Sequence, residues 1–157
     1  MKKFKLTSEF IVDISGVKLF RIKALIEFGN VKAGDLGGYI EKEENLSHMG
    51  NAWVSGNAQV SGDARVSGNA QVFGDARVSG DARVSGDKDY AYAHGFGSCN
   101  RTTTFFRLKD GDVGVRCGCF YGTLAQFRDK VCETHGETKK AQEYLMLADL
   151  MEIRFKN

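Results

Sequence analysis

Residues 50–86 read GNAWVS GNAQVS GDARVS GNAQVF GDARVS GDARVS G, one six-residue unit written six times from Gly50. A period of six decides the fold before any single motif does. Each unit is Gly, Asn or Asp, Ala, a variable residue, Val, and then Ser in all but one copy. A helix would place its apolar residues three and four apart. Here Ala and Val are two apart, as on one face of an extended strand, and Gly-Asx follows as a turn. Each unit is therefore a short strand plus a corner. Val54, Val60, Val66, Val72, Val78 and Val84 are predicted to point inward, with Ala52, Ala58, Ala64, Ala70, Ala76 and Ala82 at tighter inner positions that a larger side chain would overpack.

The pattern of an aliphatic residue, turn residues, an Asx, a small residue and an outward variable position resembles the hexapeptide repeat. That resemblance implies a mainly β chain built on a short left-handed parallel β-helix, a three-sided prism with eighteen residues per coil and about three coils. Stacking at eighteen then pairs Trp53 with Gln71, Gln59 with Arg77 and Arg65 with Arg83, and brings Asp63 over Asp81. Stacked arginines beside stacked aspartates read either as a solvated, self-compensating face or as an anion contact, since arginine suits bidentate phosphate and carboxylate recognition. Phe73, which breaks the serine column, and Trp53 are two outward aromatics on a small-residue scaffold. They suggest a contact surface. Trp53, Arg65, Phe73, Arg77, Arg83, Tyr92 and Phe96 are the candidate binding residues.

The flanks divide the chain into an N-terminal β cap over 1–33, the β-helix over 34–91, a glycine-rich junction over 92–100 and a C-terminal ββαα element over 101–157. Two apolar runs around Ser15-Gly16 signal a hairpin. Counting back by six from Ala52 reaches Leu46 and Ile40, so degenerate coils begin near Gly37. The same count puts His48 where an inward valine belongs, so His48 either caps the coil interior or marks a register slip through a loop. A second hairpin is centred on Lys109-Asp110-Gly111-Asp112. Thr123 with Gln126 makes a capping box for a helix ending at Gly136. A last helix from about Glu137 to Ile153 has one stripe of Ala141, Tyr144, Ala148, Met151 and Phe155. Met146, Leu147, Leu150 and Ile153 widen it beyond what one buried face needs. That helix is expected to be covered on two sides or to meet another subunit.

Composition bounds the function. A formal net charge of +2 on 157 residues gives no bulk attraction to nucleic acid. The start MKKFKLTSEFIVDISG has no apolar run of signal-peptide length, and no stretch approaches a membrane span. A cytoplasmic protein with reduced cysteines is the expectation. Cys117 and Cys119, with Cys99 and Cys132, lack the usual zinc spacing, and strand alternation accounts for the first two as small core residues. No metal or cofactor is called for. The six regular units contain no histidine. Many hexapeptide-repeat proteins are trimeric acyl-CoA-dependent acyltransferases with a histidine base, and only His48 or His94 is placed to serve that role here.

The stretch VKAGDLGGYIEKEENLSHMG running into NAWV resembles hexapeptide-repeat proteins of phage and prophage genomes over about residues 17–60. GCFYGTLAQF and ETHG resemble a small C-terminal element of phage proteins. The resemblance implies a phage gene context more than a reaction. Combined with a repeat body suited to rigid display, it favours a non-enzymatic, oligomeric phage protein, a trimer by resemblance to other prisms, that binds a host protein or a small anionic signal in the host cytoplasm, for instance to inhibit antiviral defence as an anti-CRISPR or a sponge. An acyltransferase and a structural component of the virion are the alternatives.

Overall fold

The structure, a computed structural model, describes residues 2–13, 15–97, 101–118 and 120–156, with Arg101 by its backbone alone. It is a β-solenoid repeat body flanked by a β-hairpin and by a four-stranded sheet with two helices.

The repeats form six two-residue strands, β4 (Trp53–Val54) through β9 (Arg83–Val84), one per unit. The fourth and fifth residues of a unit are the only ones in strand, because the glycine that follows turns the chain. Gly56, Gly62, Gly68, Gly74 and Gly80 all have φ between 61 and 67°, a region that an L side chain strains to enter. Each strand pairs in parallel with the one eighteen residues on: Trp53 with Gln71, Gln59 with Arg77, and Arg65 with Arg83. Three ladders result. All six valines and all six alanines of the repeat are at most 1 % exposed. Those branched and small side chains together make the solenoid core.

Before Trp53 the register changes. β3 (Leu36–Ile40) pairs Tyr39 with Gln59 and Ile40 with Val60, and Leu46 bridges Val66, each twenty residues apart rather than eighteen. Ile40 and Leu46 therefore extend the valine column, not the alanine column that counting by six assigned them. The two extra residues fall between Leu46 and Asn51, so His48 lies on an excursion and not at an inward position.

The hairpin of β1 (Phe4–Val12) and β2 (Lys18–Ala24) continues through β3 into the ladder of β5 (Gln59–Val60) and β8 (Arg77–Val78). At the other end the sheet order is β10 (Tyr90–Phe96), β11 (Arg101–Arg107), β12 (Val113–Cys117) and β13 (Phe120–Thr123), all antiparallel. The described part of the expected glycine-rich junction is thus mostly strand β10, whose Tyr90, Ala91 and Tyr92 pair regularly with β11. The C-terminal element has three strands where two were expected, and β10 adds a fourth to their sheet. Thr103, Thr104, Phe105 and Phe106 are all fully buried, since β11 is covered on both faces. Phe106 joins the solenoid core, while Phe105 joins the core under the helices.

Helix α1 (Leu124–His135) starts at the predicted capping box: Gln126 N–H donates to Thr123 Oγ1 at 3.2 Å and Thr123 N–H to Gln126 Oε1 at 2.9 Å. α2 (Lys139–Arg154) is capped by Thr138. Its stripe of Ala141, Tyr144, Ala148, Met151 and Phe155 is buried, but Met146, Leu150 and Ile153 are not covered by this chain.

Candidate functional site

Two adjacent rungs of one ladder set the site. β6 (Arg65–Val66) and β9 turn their valines inward, so alternation sends Arg65 and Arg83 outward on neighbouring strands. Arg83 is held down: its Nη1 donates to the Asp63 carbonyl at 2.8 Å and to the Ala82 carbonyl at 3.0 Å. Arg65 is exposed. Lys42 takes the Asp63 carboxylate at 2.9 Å and, with smaller contributions from Arg83 and Arg65, holds it below the usual carboxylate range.

The arginines share an open groove of about 410 Å³ with Glu43, Glu44, Ser47, His48 and Ser67. That size is within the range of small-ligand clefts. Glu43 is spoken for. Its Oε1 accepts from Lys2 Nζ at 3.2 Å, its Oε2 lies 3.2 Å from His48 Nε2, and these two neighbours hold the carboxyl below its ordinary value.

His48 is a built-in part of the N-terminal end. Its ring stacks on Phe4 with centroids 4.2 Å apart, and its Nδ1 accepts the Lys3 backbone N–H at 3.0 Å. With Nδ1 accepting, the ring proton resides on Nε2, which is buried and faces Glu43 off the line of a good hydrogen bond. Such a ring offers no lone pair to a substrate. His94 is exposed on β10, 2.7 Å from Thr102 Oγ1. The two histidines belong to different ends and form no shared centre.

The remaining candidate residues scatter. Trp53 is only 4 % exposed and meets Phe28 edge to face at 5.3 Å, so it is a core residue of the N-terminal end rather than an outward contact. The cause is the segment after β2, which folds across its ladder, with Gly37 so close that a Cβ there would strike the indole. Phe73 is half exposed and leans on Tyr92 at 6.0 Å. Arg77 is on a different ladder from Arg65 and Arg83. Phe96 packs against the core beneath the helices. Of the seven, Arg65 and Arg83 share a cavity. Of the cysteines, Cys117 is partly buried beside Thr103 and Tyr144 and Cys132 is exposed, while Cys99 and Cys119 lie outside the described residues. Among the described residues no three His, Cys, Asp or Glu side chains are grouped to hold a metal. Nor is any described helix long and apolar enough to cross a membrane.

Sequence reading missed the residues that close the ends of the solenoid. Lys3, at 1 % exposure, donates through Nζ to the Ala52 carbonyl at 2.7 Å and the Gly50 carbonyl at 3.3 Å, with its charge 4.6 Å from the Phe28 ring centroid. Asn45 Nδ2 donates to the Gly62 and Ala64 carbonyls at 3.1 and 2.9 Å, while its Oδ1 accepts from the Glu41 and Lys42 N–H groups. At the far end Asp87 accepts from Gln71 N–H, Thr104 Oγ1 from Arg77 N–H, and Asp89 from Ser85 N–H. A paired, buried amide or carbonyl is the rule, and these side chains stand where the next rung would be.

The fold and its end caps define a β-solenoid repeat protein. Comparison with known families agrees at the repeat itself: the YdcK β-solenoid repeat matches over residues 58–74 and 70–86. A search of curated proteins returns no significant match.

Proposed function

We propose that this chain is a non-enzymatic, self-assembling binding protein whose solenoid presents the Arg65–Arg83 ledge to a small anionic ligand or to an acidic surface of a host protein. The observation that carries the reading is the pair of guanidinium groups on adjacent rungs, one of them fixed by two backbone carbonyls, lining a groove of about 410 Å³. A rigid scaffold loses little entropy when it binds, and guanidinium suits phosphate and carboxylate. The same reading takes the body to be the left-handed, three-sided hexapeptide type and the assembly to be a trimer. The words shared with phage-encoded repeat proteins over residues 17–60 extend it to a phage protein acting in the bacterial cytoplasm, with interference in antiviral defence as the specific role. Acyl transfer is disfavoured by His48, whose Nδ1 is taken by the Lys3 amide.

The test is a titration of the purified chain with inorganic pyrophosphate and with nucleotides, alongside mass spectrometry of small molecules and proteins that co-purify from a bacterial lysate. Arg65→Ala with Arg83→Ala is expected to weaken the contact at least about tenfold, the worth of one charge-assisted bond, without moving the melting temperature by more than a few degrees. Unchanged binding by the double variant rules the groove out.

A further inference from the structure

The rungs put the charges of the groove in a fixed order. Leu46 bridges Val66 in parallel, and Val66 pairs with Val84. The turn Glu43–Asn45 comes just before Leu46, as Arg65 comes just before Val66 and Arg83 just before Val84. Along the solenoid axis the groove therefore runs acidic, basic, basic, at about 4.8 Å per rung. These groups differ in what is already spent. Both oxygens of Glu43 are occupied, by Lys2 and by His48. Glu44 is exposed, lines the same groove, and makes no hydrogen bond or ion pair among the described residues. Lys42 feels its charge but is bonded to Asp63 at 2.9 Å. Arg65 is also without a hydrogen bond among the described residues, and the bonds of Arg83 all run through Nη1, which leaves its Nε and Nη2 as donors. Glu44 and the arginines share one cavity and do not pair with each other. That makes the groove dipolar.

We infer that the groove takes a short linear zwitterion, its phosphate or carboxylate across Arg65 and Arg83 and its ammonium against Glu44. The inference rests on the anion-binding reading above and adds the ligand class and the residue that selects it. An anion shared by the two arginine rungs lies between one and two rung spacings from the acidic rung, roughly 5–7 Å. A few single bonds span that distance. A nucleobase fits poorly: the groove is lined by no Phe, Tyr or Trp, and the His48 ring is already stacked on Phe4. No aromatic platform is left for a base. A polyphosphate or an acidic protein surface would set a second negative charge against Glu44. Discrimination rests on such a repulsive contact as well as on the attractive ones.

The experiment is an NMR titration of the full chain with phosphoethanolamine and with γ-aminobutyrate. Each is run beside the analogue that lacks the ammonium, ethyl phosphate and butyrate. At least one zwitterion is expected to bind about threefold tighter than its analogue, the size of an exposed ion pair. Glu44→Gln is expected to erase that preference and to tighten binding of the analogue, since a repelling charge is gone. Arg65→Ala with Arg83→Ala is expected to abolish binding of both. Analogues that bind the wild type as tightly as the zwitterions overturn the zwitterion and leave the arginine ledge standing. A preference that survives Glu44→Gln overturns the placement of the ammonium. Binding of pyrophosphate with none of these probes overturns the inference alone, and binding of no anion at all overturns it together with the reading it rests on.

Discussion

Lys3 and Asn45 do the same work at two corners of the first complete coil: each bridges the carbonyl of a corner glycine and that of the alanine two residues later. Lys3 spans Gly50 and Ala52, and Asn45 spans Gly62 and Ala64. One coil further on, the equivalent Gly68 and Ala70 carbonyls accept the N–H groups of Asn51 and Trp53. An ammonium and a carboxamide thus replace backbone donors where the stack ends.

Asn45→Ala strands the Gly62 and Ala64 carbonyls and the Lys42 amide, whereas the Glu41 amide keeps its bond to the Val60 carbonyl. The expected loss is about 3 kcal/mol, since each buried group left unpaired costs about 1–3 kcal/mol. Urea unfolding measures it, and a loss below half that value means water replaces the carboxamide.

Lys3 makes an alkaline signature. Burial pulls its ammonium from the ordinary 10.5 down to about 8. Between those values the unfolded chain holds a proton that the folded chain has released, so this residue makes stability rise as pH climbs from about 8 toward 10.5. Comparing unfolding midpoints of the wild type and Lys3→Met over that window should show the wild type gaining relative to the variant. A flat difference refutes the burial argument.

Asp89 makes the acid signature. Burial pushes its carboxyl up, but the N–H and hydroxyl of Ser85 and the Arg107 guanidinium at 3.1 Å outweigh that, leaving it below the ordinary 3.8. Its stabilisation is present above 3.8 and is lost as pH falls through the lower folded value. Asp89→Asn should cost about 3 kcal/mol at neutral pH, because Arg107 is left without its buried partner. The variant should also lose part of the acid limb of the stability profile.

Gly80→Ala tests the corner. Its φ of 64° strains any side chain, and the Tyr121 hydroxyl occupies the place a methyl would take. About 2 kcal/mol should be lost, and Tyr121→Ala, which removes the hydroxyl together with the ring carbons behind it, should recover part of it in a double-mutant cycle. Additive effects of the two changes would mean the tyrosine is not the obstacle.

The repeat core was legible because period six fixes every inward residue from Ala52 to Val84, and the eighteen-residue return fixes Arg65 over Arg83. What surrounds it was less so. The two extra residues near His48 leave no local mark, yet they shift Ile40 and Leu46 by one column and carry His48, Ser47 and Glu43 to the groove. Hence half the candidate site was readable and half was not. Trp53 has an outward position in the unit, and only the later-packed segment around Phe28 buries it, a contact between distant parts of the sequence. Strand β10 was hidden by Gly95 within it and Gly97 just beyond, whose turn signal outweighed the pairing of Tyr90–Tyr92 with β11. For α2 the two stripes were visible, but helix periodicity alone does not tell which of them a chain covers.

The rungs between the two capped ends are interchangeable, and that makes the solenoid a gauge of adjustable length. Residues 56–73 complete one circuit, with same-pattern strands stacked below β5 and β6 and above β7, so a copy inserted after Phe73 would pair with that circuit on one side and repeat its present pairings on the other. Each such insertion would carry the hairpin and the helical end about 4.8 Å farther apart, a step size dictated by the amide bond rather than by any side chain.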